Sequence, residues 1–265
     1  MYEFLRALKV LKDYLPNMVI IGGSVPLVYS RYLFDPKATG VPVYTQDLDL
    51  LVENDLASSG EPVVSLMKTA GFGGRTLESR HTQYFKFESN SKAGFEIEFL
   101  TPPPGPEHGE TIVVQGGLRA QIMVGLELLL TNTIDVPIRD RVEDLNVDFV
   151  VRVPTPEAFV LNKMQSYLHP VGDVDRSKDI YYVFFVARSL PVVKKTLVDN
   201  MRLCVGQAAV QSLAGELKRL FEDEHSPGTL DVARQLAGVD RPDRNILLLA
   251  QAEIVELVDL MCSRA

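Results

Sequence analysis

The sequence predicts an α+β fold, a mixed sheet flanked by helices and followed by a helical C-terminal part. Three observations predict it. Apolar or alternating runs at 18–21, 46–52, 83–88 and 94–100 have strand character and are separated by Gly, Pro and Asn signals. Helical spacing precedes the first run and falls between the second and third. After Pro154-Thr155-Pro156 every periodic segment is helical. The expected division is an α+β domain over residues 1–153 and a helical domain over 154–265.

Residues 2–15 place Phe4, Leu5, Leu8, Leu11 and Leu15 on one helical face, with Pro16-Asn17 as the stop. Strand 18–21 leads into Gly22-Gly23-Ser24. Residues 25–34 read as a second helix with Pro26 in its first turn, and 35–44 as a Pro- and Gly-containing loop. Strand 46–52 and helix 61–70 follow, the helix stopped by Gly71. The alternating runs 83–88 and 94–100 flank Asn90-Ser91-Lys92-Ala93-Gly94, a hairpin turn. Thr101-Pro102-Pro103-Pro104-Gly105-Pro106 can be neither helix nor central strand, so it leaves the sheet. Segments 111–115, 121–136 and 147–153 have β-like patterns, with 121–130 ambiguous between strand and helix. Helices are expected at 156–168, 177–188, 191–203, 207–223, 229–237 and 243–263.

The chain has 265 residues, enough for a large core, and its 46% hydrophobic and 23% charged content is that of a water-soluble globular protein. A net charge of −8 gives no general attraction to nucleic acid or to an anionic membrane. No apolar run approaches the ~18 residues of a membrane span. The only cysteines, Cys204 and Cys262, have no metal-ligand spacing, and they fit reduced thiols in a cytoplasmic protein. The four histidines are scattered, and there is no nucleophile elbow, P-loop or dinucleotide fingerprint. Nucleophilic hydrolysis and dinucleotide binding are therefore not expected.

The chemistry concentrates in two short stretches. Val19-Ile20-Ile21 reads as a buried strand, and the Gly22-Gly23-Ser24 that follows suits a turn offering backbone N–H groups and a hydroxyl to a phosphate. In Asp47-Leu48-Asp49-Leu50 the aspartates are two residues apart, so on a strand both carboxylates share a face. Like charges that close repel unless a cation lies between them. A third element, Phe95-Glu96-Ile97-Glu98-Phe99, puts Glu96 and Glu98 on one strand face. An inward carboxylate there could take an acceptor hydroxyl's proton or hold a second metal. A solvated strand face is the competing reading for either glutamate. Lys163, in an otherwise apolar helix, and Arg176-Ser177-Lys178-Asp179 add cations that could face a phosphate or simply be solvated.

Taken in order, these pieces resemble the nucleotidyltransferase superfamily, the fold of polymerase-β-like enzymes and antibiotic nucleotidyltransferases. Its signature is a Gly-rich turn ending in Ser, an apolar-Asp-x-Asp-apolar strand and a third carboxylate on a neighbouring strand. Here these match Gly22-Gly23-Ser24, Asp47-Leu48-Asp49 and Ile97-Glu98-Phe99. Lys163 and Arg176-Ser177-Lys178-Asp179 resemble the helical motifs of AbiEii-like nucleotidyltransferases. The resemblance implies Mg²⁺ or Mn²⁺ on Asp47, Asp49 and Glu98. It implies an NTP held by Gly22, Gly23 and Ser24, with help from Lys163 and Lys178. The nucleotide would pass to an acceptor hydroxyl of a small molecule, a protein or a tRNA, with release of pyrophosphate. An inactive nucleotide-binding or partner-binding member of the fold is the alternative. Two departures stand out: an insertion between Ser24 and Asp47, and Glu in place of the commoner Asp as third carboxylate. Glu98 is preferred over Glu96 because it precedes the strand exit as the family's carboxylate does.

Overall fold

The structure is a computed structural model, and it describes residues 1–34, 45–78, 83–90, 94–170, 176–190 and 194–263. The expected loop at 35–44 and the centre of the 90–94 turn lie outside the described residues. The described residues form two compact units, the first within 1–33 and 45–155 and the second made mainly of those within 156–263.

The first unit begins with α1 (Tyr2–Val10), which buries Phe4, Leu5, Ala7 and Leu8. The helix ends earlier than its periodicity predicts. Leu11, Tyr14 and Leu15 still reach the core, but from a turn and a short 3₁₀ segment at Leu15–Asn17, which accepts Pro16 in its first turn. Strands β1 (Met18–Ile21) and β2 (Asp47–Val52) pair antiparallel, with α2 (Ser24–Val28) and a π-helical turn at Tyr29–Leu33 after β1. Helix α3 (Val63–Thr69) ends at Gly71, whose φ of +81° suits glycine.

Next come β3 (Phe72–Glu78), β4 (Gln83–Ser89), β5 (Glu96–Thr101), β6 (Thr111–Gln115) and β7 (Leu118–Ile122). The ambiguous 121–130 segment divides into the end of β7 and a one-turn helix, α4 (Glu127–Thr131). Gly125, at φ +87°, lies between them. The long hairpin β8 (Thr133–Val142) and β9 (Leu145–Pro154) completes the unit.

The strand order is β3-β4-β5-β2-β1-β9-β8, with the β6–β7 hairpin joined to the end of β5. β2 lies parallel to β5 and β1 parallel to β9, so the sheet is mixed. All four residues of β1 are buried, the pattern of a strand covered on both faces. Strand β3 has no counterpart in the sequence reading. Gly73 and Gly74 break its period-2 pattern, and it forms only through its hairpin with β4 at the sheet edge.

The second unit is helical: α5 (Pro156–Leu168), α6 (Ser177–Ser189), α7 (Lys194–Val205), α8 (Gln207–Lys218), α9 (Pro227–Ala237) and α10 (Arg244–Cys262). Helix α6 is its core, burying Ile180, Val183, Phe184, Phe185, Val186 and Ala187. Helix α8 ends at Lys218, before the expected 223, and α9 starts early because Pro227 suits a first helical turn. Asp243 caps α10 by accepting hydrogen bonds from the Asn245 and Ile246 amides at 2.8 and 3.1 Å. Among the described residues no helix is long and apolar enough to cross a membrane.

Candidate active site

The site starts where β1 turns into α2. Gly22 sits at φ +63°, and a Cβ built there would fall 1.9 Å from Asp49 Oδ2. Only glycine allows both the left-handed backbone and the carboxylate lying against it. The cross-strand register explains the contact, since Ile21 is the partner of Asp49. Ser24 is fully buried, and its hydroxyl donates to the Asp47 carbonyl at 2.8 Å. The serine expected to meet a phosphate therefore ties the turn to the first residue of the aspartate strand.

The parallel pairing of β2 and β5 sets Asp47 against Glu96 and Asp49 against Glu98. The odd positions of β2 and the even ones of β5 share a face, while Leu48, Leu50, Ile97 and Phe99 are buried on the other. Directly paired side chains on adjacent strands come within interaction distance. The four carboxylates thus form one acidic patch bordering the Gly22 turn.

Two cations reach this patch from β3 and β4. Lys86, the cross-strand partner of Glu98, places Nζ 2.6 Å from Glu96 Oε2 and is also ion-paired with Glu98. Its side chain is only 13% exposed, so the charge is held inside the patch. Arg75 lies 3.4 Å from Glu96 and 3.3 Å from Glu88. Burial works against the Lys86 charge, but hydrogen bonds to Glu96 and Glu98 outweigh it and raise its pKa above the usual lysine value. The Lys86 hydrogen bond outweighs burial at Glu96 too and, with Arg75, holds its carboxyl below the usual range. Neither cation was picked out from the sequence, although a hairpin turning at 90–94 already pairs Lys86 with Glu98.

Lys163 and Lys178 belong to the second unit. Lys163 Nζ is 2.7 Å from Asp179 Oδ1, and Arg176 approaches the other carboxylate oxygen at 3.6 Å. The Lys163 ammonium also lies over the rings of Phe159 and Tyr182, 5.9 and 5.6 Å from their centroids. Lys178 is exposed on α6.

Among the described residues no three His, Cys, Asp or Glu side chains stand together as a ligand set for a metal ion. Asp47 and Asp49 nevertheless suit Mg²⁺, a hard ion usually bound by one or two carboxylates plus substrate phosphates. Glycine at 22 leaves room for the Asp49 carboxylate where a side chain would displace it.

The site thus brings together a glycine turn that clears an aspartate, a second aspartate and the two glutamates that are their register partners. A family model described as nucleotidyltransferase matches residues 3–202, and the chain belongs to that family. Among solved structures, the chain is similar to JHP933 from Helicobacter pylori (13% identity, 98% of this chain and 90% of that one, TM-score 0.47). A second protein from that organism, provisionally assigned as a nucleotidyltransferase, gives 12% identity, 98% and 93% coverage and a TM-score of 0.48. A comparison with curated protein sequences finds no match.

Proposed function

We propose that this protein is a Mg²⁺-dependent nucleotidyltransferase that moves an NMP from an NTP to an acceptor hydroxyl. The register of β1, β2 and β5 carries the reading, because it sets Asp49 beside Gly22 and opposite Glu98. Asp47 and Asp49 hold the metal. When bound, the ion offsets triphosphate charge and polarises the α-phosphorus. Gly22 and Gly23 offer backbone N–H groups to the phosphates, with the Asp49 carboxylate lying against Gly22. Ser24 keeps that turn in register with Asp47 through its hydrogen bond. Glu98 accepts the proton of the attacking hydroxyl. Support for a phosphate role of Lys163 and Lys178, and for an AbiEii-like affiliation, comes from the family resemblance alone.

The test is incubation with labelled NTPs, Mg²⁺ and cell extract, following label transfer and pyrophosphate release. Transfer lost in Asp47→Asn and Asp49→Asn with the fold intact supports the assignment. Wild-type transfer by both variants overturns it. A second reading, nucleotide binding without turnover, is favoured by the grip of Lys86 on both glutamates. Mg²⁺-dependent NTP binding with no pyrophosphate from any acceptor would establish it.

A further inference from the structure

Asp47, Asp49, Glu96 and Glu98 lie on one face of β2 and β5, and a lysine from β4 is ion-paired with the two glutamates. An ordinary cross-strand ion pair is one-to-one and exposed, and contributes little. Lys86 differs on both counts. Its ammonium joins Glu96 and Glu98, two residues of the same strand, and 13% of its side chain is exposed. Those glutamates are the register partners of Asp47 and Asp49. Arg75 adds a second positive charge on the Glu96 side and none on Glu98.

We propose that Lys86 is a positioning residue of the transfer site. Its ammonium takes the place that a second divalent cation would occupy, neutralising Glu96 and fixing Glu98 opposite Asp49. One metal, at Asp47 and Asp49, is then sufficient. The inference rests on the nucleotidyltransferase reading for the role of Glu98, but its physical content is a cation count. A fixed ammonium is supplied by folding and need not be captured from solution, whereas a second Mg²⁺ would have to be bound at each turnover. It also spares Glu98 from direct metal ligation, leaving it to face the acceptor hydroxyl.

Mn²⁺ titration of the full chain without nucleotide, read by electron paramagnetic resonance and calorimetry, tests this. Lys86→Met removes the charge and keeps an unbranched side chain one atom shorter. It is expected to bind one more Mn²⁺ than the wild type, with the gain lost again in Lys86→Met/Glu98→Gln. Equal stoichiometry in Lys86→Met and wild type overturns the proposal. Lys86→Met leaves like charges uncompensated and could fail to fold, so Glu98→Gln in the wild-type background is the second arm. It is expected to leave wild-type Mn²⁺ stoichiometry and affinity unchanged, because Lys86 rather than the metal holds Glu98. A tenfold or greater loss of affinity in Glu98→Gln makes Glu98 a metal ligand and overturns the proposal. Failure of the transfer reading is separately visible, as absent label transfer by the wild type, and leaves the Lys86→Met comparison readable.

Discussion

Gly22 is held at φ +63° with its missing side chain replaced by the Asp49 carboxylate, so both its backbone and its space are specified. In Gly22→Ala the left-handed backbone costs about 1–2 kcal/mol. The methyl group must also push Asp49 aside, and a misplacement of that order costs about 100-fold in rate. A small drop in urea midpoint with a far larger drop in pyrophosphate release is the expected result. Asp47→Asn and Asp49→Asn should behave differently, abolishing release while changing stability by no more than about 0.5 kcal/mol, as partly exposed substitutions do. The Lys86–Glu96 pair adds a pH dependence. The Glu96 carboxyl is lowered in the folded state, so its contribution is present above the ordinary value of 4.5 and is lost as pH falls through the folded value. Lys86, raised in the folded state, contributes below 10.5 and loses that contribution as pH rises through its folded value. Urea midpoints should fall at both ends of that window, and the acid-side fall should shrink in Glu96→Gln.

At the scale of elements, helices were largely legible in the sequence and their ends were not. Phe4, Leu5 and Leu8 announce α1, yet Leu11 and Leu15 keep the same spacing in a turn, because burial and not helicity is what that spacing records. In the first turn of α9, Gly228 is packed so tightly that a Cβ would lie 2.4 Å from the Phe221 ring and 2.8 Å from the Leu220 carbonyl. Gly228→Ala should therefore destabilise by about 1–3 kcal/mol, the usual range for overpacking, and thermal unfolding of the variant measures it. Nothing in the local sequence signals that contact. Strand β3 carries no sequence signal for a related reason: Gly73 and Gly74 have no side chains to alternate, and the edge strand exists through pairing with β4. Lys86 was within reach, since the hairpin that pairs it with Glu98 was itself expected.

For the whole molecule, a ligand that binds only the native state must raise apparent stability, by about 2.7 kcal/mol at a hundredfold excess over its Kd. Mg²⁺ with the correct NTP should raise the melting temperature of the wild type and leave that of Asp49→Asn unmoved. A protein whose carboxylates were only surface charge would show no such shift. The sequence by itself determined the mixed α+β class, the helical C-terminal part, the glycine turn after β1 and the shared face of Asp47 and Asp49. These follow from short-range rules: the period of a strand, the period of a helix and the conformational freedom of glycine. Only the tertiary structure decided that β5 lies beside β2, that Glu98 stands opposite Asp49, that Asp49 fills the space at Gly22, that Ser24 binds the Asp47 carbonyl and that Lys86 holds both glutamates. Apart from the Lys86 contacts, which a local hairpin supplies, those pairings join residues far apart in the chain, and they are selected by packing of the whole sheet, which no local window of sequence contains.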